Sequence, residues 1–314
     1  MGATSTGAGA DALDLAGLEV LPFPPLTADI EEAKRHIDQY GIALLADALS
    51  SDEVEELDAR LNEQAAGEAK RGVANLLRGD EGFGARPADA ERVSCLLWNL
   101  VNKGDCFLPL IDHPKCLPLV QHIVGKRLLL GSFGAHMNGH GNEQMPLHQD
   151  QWPLIPHHLD FCAFTNTLWL ITPNSPENGG TRMVPGSHKW PPVSPRQMNS
   201  REGQALAQSV TAPAGTLIVY DGRIWHGNGL NRSGAVRSNI SIPYAQPWVR
   251  PQENHQYSLR PDVYEKLTPL QRKILGFGHF GTLGGHDGSS VSPRSFDRDR
   301  ESTSALDSEG RALA

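Results

Sequence analysis

A series of short runs rich in β-branched and aromatic residues fills the second half of the chain, and glycine and proline separate one run from the next. Runs of this length and composition are typical of β-strands joined by turns. The totals of 32 glycines and 23 prolines favour the same structure over a helical bundle. The predicted strands cover residues 128–136, 160–171, 181–184, 208–211, 216–220 and 236–244.

The first half of the chain carries signals for two helices instead. Thr27 is a plausible N-cap of a helix that should end at Gly41, and residues 42–45 follow as a strand. Ser51 is predicted to cap a second helix that runs from residue 52 to about residue 70. Helices that come first, followed by a dense set of strands, predict a mostly β fold in which flanking helices pack outside a sandwich or barrel.

The ends of the chain differ from the middle. We expect residues 18–23 to form a short strand, and helical periodicity returns over residues 260–275. Residues 1–17 and 281–314 are rich in small, polar or charged residues and have little apolar surface to bury. We therefore expect both of these tails to be disordered.

Composition and charge exclude some partners. The apolar fraction of 39% and the charged fraction of 20% are ordinary for a soluble protein. A net charge of −8 without a basic stripe argues against nucleic acid, and no apolar run approaches the ~20 residues of a membrane span. The 4 cysteines form no Cys-x-x-Cys pair, and the N-terminus lacks a secretory pattern, so we expect reduced thiols in a cytoplasmic protein. A homo-oligomer stays open.

One short motif suggests a metal site. His148 and Asp150 are two residues apart, so on an extended chain both side chains point to the same side. His226, which follows the predicted strand 216–220 and a turn, is the best candidate for a third ligand. Two histidines and one carboxylate on one face of a metal favour iron(II) in oxygenases, because three positions stay open for a co-substrate and dioxygen. Alone, a His-x-Asp motif is more often a surface turn, so the assignment depends on its companions.

Arg237 is the companion that carries charge. It lies eleven residues after His226, on the predicted strand 236–244. A guanidinium inside a barrel can hold a carboxylate by two parallel hydrogen bonds. A solvated strand charge or an ion pair is the alternative, but the position beside His226 favours co-substrate binding.

Several motifs in register resemble one known family. They are the motif at residues 148–150, the stretch Pro-Glu-Asn-Gly-Gly-Thr-Arg-Met-Val-Pro-Gly-Ser-His at residues 176–188, His226 and Arg237. Their order and spacing resemble the phytanoyl-CoA dioxygenase family of iron(II)- and 2-oxoglutarate-dependent enzymes over roughly residues 125–245. The resemblance implies a double-stranded β-helix (jelly-roll, cupin-like) core at about 125–245, within a single oxygenase domain that spans residues 18–280.

The same resemblance implies roles for individual residues. His148, Asp150 and His226 would be the iron ligands, and Arg237 would hold the distal carboxylate of 2-oxoglutarate.

The stretch from Asn166 to Thr181 looks most like members that act on small metabolites and natural products. In such members the position of Thr181 helps to bind 2-oxoglutarate, and Asn166 is a further candidate contact. Members often have a glutamine three residues before the first ligand. Met145 holds that place here, so either the neighbouring Gln144 substitutes or this contact is missing.

The resemblance implies a dioxygenase that uses iron(II), 2-oxoglutarate and dioxygen to oxidise a small organic molecule, with hydroxylation as the expected outcome and release of succinate and carbon dioxide. Asp150 argues against halogenation, because related halogenases carry a small residue there. A cupin-like metalloenzyme without 2-oxoglutarate is an alternative, against which Arg237 and Thr181 speak. A catalytically silent binding protein is another, against which the intact ligands speak. Substrate specificity would reside at residues 71–91, at residues 152–160 and after Pro247.

Overall fold

Two β-sheets with helices outside them make up the computed structural model, which describes residues 14–78, 82–84, 94–139, 144–151, 154 and 160–284. Most of the two predicted tails and much of the expected specificity segments at 71–91 and 152–160 lie outside these residues. The described end of the N-terminal tail is ordered. Leu15–Gly17 forms a 3₁₀ turn, and the Leu15 side chain is buried.

The strands, helices and 3₁₀ turns have the following bounds. The strands are β1 (Leu26–Thr27), β2 (Ile42–Leu45), β3 (Asn75–Arg78), β4 (Gly82–Gly84), β5 (Cys95–Leu97), β6 (Leu129–Leu130), β7 (Gly134–Asn138), β8 (Phe164–Leu170), β9 (Thr181–Met183), β10 (Gln208–Ser209), β11 (Leu217–Asp221), β12 (His226–Asn228), β13 (Arg237–Ser241) and β14 (Tyr244–Ala245). The helices are α1 (Ile30–Tyr40), α2 (Ser51–Lys70), α3 (Leu117–Val124), α4 (Pro195–Met198), α5 (Arg201–Leu206), α6 (His255–Ser258), α7 (Pro261–Lys266) and α8 (Pro269–Ile274). Further 3₁₀ turns lie at Leu100–Asn102, Asp105–Asp112 and Ser187–Lys189.

The strands form a large sheet and a small one. The larger sheet has the order β1-β2-β11-β8-β13-β7-β5-β3-β4, and β14 joins it through β8 and pairs with β6. The smaller sheet has the order β10-β9-β12, and an isolated bridge between His148 and His226 extends it by one segment. Several neighbouring strands are distant in sequence, because the chain crosses repeatedly between the two sheets from β8 to β13.

The central strands of the larger sheet are buried on both faces. On β11, Leu217 and Val219 point to the main apolar core, while Ile218 and Tyr220 point to a second apolar cluster on the opposite face. Helices α1 and α3 pack on the outer face, against β2, β8 and β11. Burial on both faces explains why the sequence of β11 is almost continuously apolar instead of alternating.

Two predicted elements at the ends of the domain differ from the structure. Residues 18–23 form no strand; the Leu21 N–H makes a single main-chain hydrogen bond to the carbonyl of Pro185 instead of a ladder. The helical stretch at 260–275 is two short helices, because Pro269 has no N–H to continue the first one and Thr268 caps the second.

The predicted helix caps are displaced by one or two residues. Thr27 pairs with Leu45 in the β1–β2 ladder, so α1 begins later, and Asp29 is its N-cap. Ser50, not Ser51, caps α2. Its hydroxyl accepts from the Glu53 N–H at 3.3 Å, and the Glu53 carboxylate accepts from the Ser50 N–H at 2.8 Å. This reciprocal arrangement is a capping box, which satisfies two donors that the helix itself leaves free. Among the described helices, none combines the length and apolar character needed to cross a membrane.

The assignment of the α2 cap can be tested with two adjacent serines. We expect Ser50→Ala to lower the free energy of unfolding by about 1 kcal/mol, because the Glu53 N–H loses its acceptor. Ser51→Ala, at the first helical position, should change it by less than about 0.5 kcal/mol. Urea unfolding followed by circular dichroism measures both, and a larger effect at Ser51 would contradict the assignment.

Candidate metal centre

The first feature of the site is a main-chain pairing between two histidines that are far apart in sequence. The N–H of His148 donates to the carbonyl of His226 at 2.9 Å, and the N–H of His226 donates to the carbonyl of His148 at 3.0 Å. This pairing places the two imidazole rings side by side, with their centroids 4.3 Å apart. A segment that is otherwise loop is therefore attached to β12 at the one point where both ligand candidates lie.

Asp150 completes a cluster of three potential metal ligands. Its Oδ1 lies 3.8 Å from Nε2 of His148 and 3.5 Å from Nε2 of His226. One ligand atom from each of the three residues lies within 4.8 Å of the others. In the part of the chain that the structure describes, this is the one such group of histidine, cysteine and acidic side chains found. The arrangement of two imidazoles and one carboxylate suits a divalent transition metal.

Both imidazoles are held in the orientation that metal binding needs. Nδ1 of His148 lies 3.1 Å from the carbonyl of Pro146, and Nδ1 of His226 lies 3.0 Å from the carbonyl of Ile224. A carbonyl can only accept, so each Nδ1 carries the proton and donates it. Each Nε2 then keeps its lone pair for the centre of the cluster.

The charges of the cluster follow from its surroundings. Loss of solvent contact and the nearby His226 lower the pKa of His148 to about 4, so its imidazole is neutral at neutral pH. Burial favours the protonated form of Asp150, but the two histidines and the Asn166 amide outweigh burial and hold the pKa of Asp150 well below its usual range. Burial works against a charge on His226 too, yet the Asp150 carboxylate raises its pKa. In the absence of metal, the Asp150 carboxylate thus favours a proton on Nε2 of His226, the position that a metal would take.

Asp150 has a second set of neighbours. Its Oδ2 accepts hydrogen bonds from the Asn166 amide at 2.9 Å and from the Tyr220 hydroxyl at 3.1 Å. Burial and the Asp150 carboxylate raise the pKa of Tyr220 well above its ordinary value, so the phenol keeps its proton and can donate it. Asn166 was predicted to contact a co-substrate, and in the structure its amide nitrogen is bonded to Asp150.

The cluster opens into a cavity of about 210 Å³ between the two sheets. Polar side chains line its floor on both sides. The larger sheet contributes His136, Asn166, Tyr220, Asn239 and Ser241, and the smaller sheet contributes Thr181, His226 and Asn228. Besides His148 and Asp150, the remaining side-chain lining is largely apolar and comprises Leu96, Trp98, Met145, Phe164, Leu168 and Pro243, with Ser132 and Gln252 as polar members. A ligand in this cavity would thus meet polar groups beside the metal ligands and apolar groups elsewhere.

Arg237 is fully buried and carries an uncompensated charge. Its Nη2 donates to Oδ1 of Asn228 at 2.9 Å, whereas Nε and Nη1 have no partner among the described residues. Burial lowers the pKa of Arg237 to about 10, so the guanidinium is still charged at neutral pH. Asn228 pairs with Thr181 across the β12–β9 ladder, and Oγ1 of Thr181 is also buried without a partner in the described part of the chain. Unused donors of Arg237 and Thr181 therefore adjoin the same asparagine.

Gln144 does not reach this cavity. Its amide is exposed and donates to Oε1 of Gln204 at 3.0 Å, while the neighbouring Met145 lines the cavity. The main-chain bond from the Met145 N–H to the carbonyl of Asn228 fixes which of the two side chains points inward. The contact expected from a glutamine before the first ligand is thus not supplied by Gln144.

Tyr220 and His136 are site residues that the sequence analysis did not identify. Tyr220 resembled any aromatic residue of an apolar strand, and His136 was one of 13 histidines. Burial and the nearby Arg237 lower the pKa of His136 to about 4, so it is a neutral group in the cavity. In the structure, His136 lies opposite Asn239, and Asn239 is two residues beyond Arg237 on the same face of β13. The two-residue periodicity of a strand was therefore the available signal that these residues share the face of Arg237.

The sequence is similar to known dioxygenases, in agreement with the ligand cluster. The model of the family described as phytanoyl-CoA dioxygenase (PhyH) matches residues 37–239. A fungal relative, dioxygenase af480 of Aspergillus fumigatus, is 29% identical over 259 residues, which cover 82% of this chain and 80% of that protein.

Two solved structures share the fold. The nickel- and 2-oxoglutarate-bound form of HygX from Streptomyces hygroscopicus has a TM-score of 0.57 at 17% identity and covers 71% of this chain and 90% of its own. The epimerase SnoN, solved with Fe³⁺, alpha-ketoglutarate and nogalamycin RO, has a TM-score of 0.53 at 19% identity and covers 71% and 86%. These similarities confirm the expected jelly-roll core with flanking helices.

Metal binding tests the cluster directly. We expect the metal-free protein to bind one Co²⁺ ion, and Asp150→Ala or His226→Ala to weaken binding by about 100-fold or more, because each removes a ligand. His122→Ala is the matched control, since His122 pairs with Asp38 on the surface. Equilibrium dialysis with metal analysis measures the affinities. Equal affinities in Asp150→Ala and His122→Ala would disprove the ligand assignment.

Proposed function

Since the chain belongs to the phytanoyl-CoA dioxygenase family and is a non-haem iron(II)- and 2-oxoglutarate-dependent dioxygenase, we propose that it hydroxylates a small organic molecule in the cavity between its sheets. The overall reaction consumes one molecule each of substrate, 2-oxoglutarate and dioxygen. It yields the hydroxylated product, succinate and carbon dioxide. His148, Asp150 and His226 are the proposed iron ligands.

The observation that carries this proposal is the buried, unpaired Arg237. An isolated charge inside a protein costs several kcal/mol unless a counter-charge accompanies it. In the described residues no carboxylate pairs with this guanidinium, and Nε and Nη1 have no acceptor. A free carboxylate of 2-oxoglutarate would supply the missing negative charge and accept two parallel hydrogen bonds. The buried, unpartnered hydroxyl of Thr181 supports the same occupant, so the residues present fit the co-substrate.

Each group of residues has a separate task in this proposal. When bound, iron(II) supplies the activation of dioxygen that is coupled to oxidation of 2-oxoglutarate. Nε2 of His148 and His226, with Asp150, orient the metal, and Arg237 with Thr181 orients the co-substrate. The apolar side chains that line the cavity, among them Trp98 and Phe164, would exclude water from the reacting carbon.

The presence of Asp150 supports hydroxylation over halogenation. A halide needs a position on the metal that a carboxylate would otherwise take. Asp150 is ionised and directed into the ligand cluster, so that position is taken. The same residue does not distinguish hydroxylation from desaturation, epoxidation or ring formation. The product test below separates desaturation and ring formation from insertion of an oxygen atom.

A small, uncharged part of the substrate fits the cavity best. Arg237 is fully buried and hydrogen-bonded to the lining residue Asn228, and the described lining itself holds no lysine or arginine. The volume of the cavity is about 210 Å³. The phosphates of a coenzyme A ester would need basic partners. SnoN and HygX, which share the fold, were solved with nogalamycin RO and with hygromycin B, respectively. We therefore propose a free small metabolite as substrate.

The cysteines support the proposed cytoplasmic location. None of the four forms a disulfide, and Cys116 and Cys162 are buried. Burial raises the pKa of Cys116 to about 12, so this thiol is unreactive at neutral pH. Cysteines without disulfides are typical of a reducing compartment.

Binding of 2-oxoglutarate tests the role of Arg237. We expect 2-oxoglutarate to produce a visible charge-transfer band in the anaerobic iron(II) protein. Arg237→Leu should weaken this binding by about 100-fold, and Arg237→Lys should have an intermediate effect because an ammonium lacks the guanidinium fork. Arg237→Leu should not lower the melting temperature, because it removes a buried charge that has no acidic partner. Wild-type affinity in Arg237→Leu would refute the proposed role.

The type of oxidation is tested by product analysis. A screen of small metabolites with ¹⁸O₂ should yield a product that is heavier by one labelled oxygen, formed together with an equal amount of succinate. Asp150→Ala should form neither. A product that has lost two hydrogens, without label, would replace hydroxylation by desaturation or ring closure. If the wild-type protein formed succinate but no oxidised product with any of the metabolites, the proposal would be contradicted.

A further inference from the structure

The two carboxylate oxygens of Asp150 have different surroundings. Oδ1 faces Nε2 of both histidines, at 3.8 Å and 3.5 Å. Oδ2 accepts from Asn166 and Tyr220, at 2.9 Å and 3.1 Å. Because Oδ2 already has two donors, only Oδ1 is free to face a metal.

The two donors are built into the larger sheet as a cross-strand pair. Asn166 on β8 lies directly opposite Tyr220 on β11 in the antiparallel ladder. Side chains of such a pair lie on the same face of the sheet and close together. The side chain of Asp150, which comes from the opposite side of the cavity, therefore meets both donors at one point.

Asn166 has little freedom to turn away from Asp150. Its Oδ1 accepts from the N–H of Thr167 at 2.8 Å and from the hydroxyl of Ser241 at 3.1 Å. These bonds define which end of the amide is the oxygen, so the nitrogen must point at Asp150. Only 8% of the residue is exposed.

Tyr220 is held equally firmly, by apolar packing. It is 1% exposed, and its ring belongs to the apolar cluster that includes Ile42, Leu168 and Ile218. Its hydroxyl also lies 3.2 Å from Nε2 of His226. Once a metal occupies the lone pair of that nitrogen, Oδ2 of Asp150 is the remaining acceptor for the hydroxyl proton.

The denticity of Asp150 decides how many metal positions stay open. A six-coordinate metal with three single-atom ligands keeps three positions, two for the keto-acid end of 2-oxoglutarate and one for dioxygen. A carboxylate that bound through both oxygens would occupy the third open position. If Asp150 binds the metal through Oδ1 alone, the position for dioxygen stays open. Asn166 and Tyr220 can therefore affect the reaction without contacting the substrate.

We propose that Asn166 and Tyr220 are positioning residues that hold Oδ2 of Asp150 by a double hydrogen bond and so keep one coordination position of the iron open for dioxygen. The inference rests on the proposed function, because it needs iron and 2-oxoglutarate in the cavity. It assigns to Asn166 a task different from direct contact with the co-substrate, and it gives a task to a buried tyrosine hydroxyl.

A second buried tyrosine provides a matched control. The hydroxyl of Tyr244 donates to the main-chain carbonyls of Leu110 and Ile111, at 3.3 Å and 3.0 Å, on the outer side of the larger sheet. Tyr244 is as buried as Tyr220, at 1% exposure. Tyr244→Phe and Tyr220→Phe therefore each remove one hydrogen-bonded hydroxyl from the interior, and only the second removes a partner of Asp150.

The experiment uses nitric oxide as a stable substitute for dioxygen. Wild type, Tyr220→Phe, Asn166→Leu, the double variant and Tyr244→Phe are loaded with iron(II) and saturating 2-oxoglutarate under anaerobic conditions. The charge-transfer band reports 2-oxoglutarate, and the electron paramagnetic resonance signal of the iron–nitric oxide complex reports the third position. We expect wild type and Tyr244→Phe to bind nitric oxide equally. The two single variants should keep the charge-transfer band and bind nitric oxide about tenfold more weakly, and the double variant should bind it more weakly still.

Three results would count against the inference. Nitric oxide affinities equal to that of Tyr244→Phe in all variants would overturn it. A parallel loss of iron, 2-oxoglutarate and nitric oxide, together with a lower melting temperature than that of Tyr244→Phe, would overturn it as well, because the two residues would then be merely structural. Failure of the wild-type protein to bind iron and 2-oxoglutarate would instead overturn the proposed function, and the inference with it.

Discussion

Two reciprocal main-chain hydrogen bonds between His148 and His226 join segments that are 78 positions apart in the sequence. All the chemistry of the cavity depends on this contact, because together with the bond from the Met145 N–H to the Asn228 carbonyl it attaches the chain that carries Asp150 to the smaller sheet. Side chains hold the segment as well: Asp150 accepts from Asn166 and Tyr220, and the Gln149 amide donates to the carbonyl of Arg223. The stability of the site therefore comes from the main-chain pairing, from these side-chain bonds and from the sheets behind them.

The inner face of the larger sheet both packs against the smaller sheet through apolar side chains and carries polar side chains for the cavity. Different strands supply the two kinds of side chain. At the β2 and β11 side, Ile42, Ile218 and neighbouring side chains form an apolar cluster that holds the two sheets together. Towards β13 and β7 the same face carries Arg237, Asn239 and His136. Several of these polar groups lack partners in the described part of the chain, which costs stability. The large apolar core on the outer face offsets that cost, and the unpaired groups are those suited to a charged co-substrate.

Local sequence signals predicted the positions of the main strands and helices well, but they predicted the first residues of the helices less accurately. Strands β8, β11 and β13 all lie within predicted runs or within one residue of them. Burial on both faces gives β11 an almost continuous apolar pattern, whereas β8 and β13 carry several polar residues. The caps at Asp29 and Ser50 were displaced because adjacent residues have nearly equal capping ability, and ladder pairing of Thr27 decided between them. Residues 18–23 have the composition of a strand but no complementary edge in the described structure, which no local pattern reveals.

The site shows the same division. The sequence by itself determined the ligand candidates and Arg237, because a two-residue spacing and the position after His226 are properties of one extended segment and its neighbour. Only the tertiary structure decided that Met145 instead of Gln144 faces the cavity, that Asn166 donates a hydrogen bond to Asp150, and that Tyr220 lies beside the candidate metal ligands. These contacts depend on the register between strands and on the sheet-to-sheet approach, which long-range hydrogen bonds and packing set. A single sequence carries no local signal for the strand register or for the approach of the two sheets. The candidate ligands could therefore be identified from the sequence, whereas the contacts that hold them in place could not.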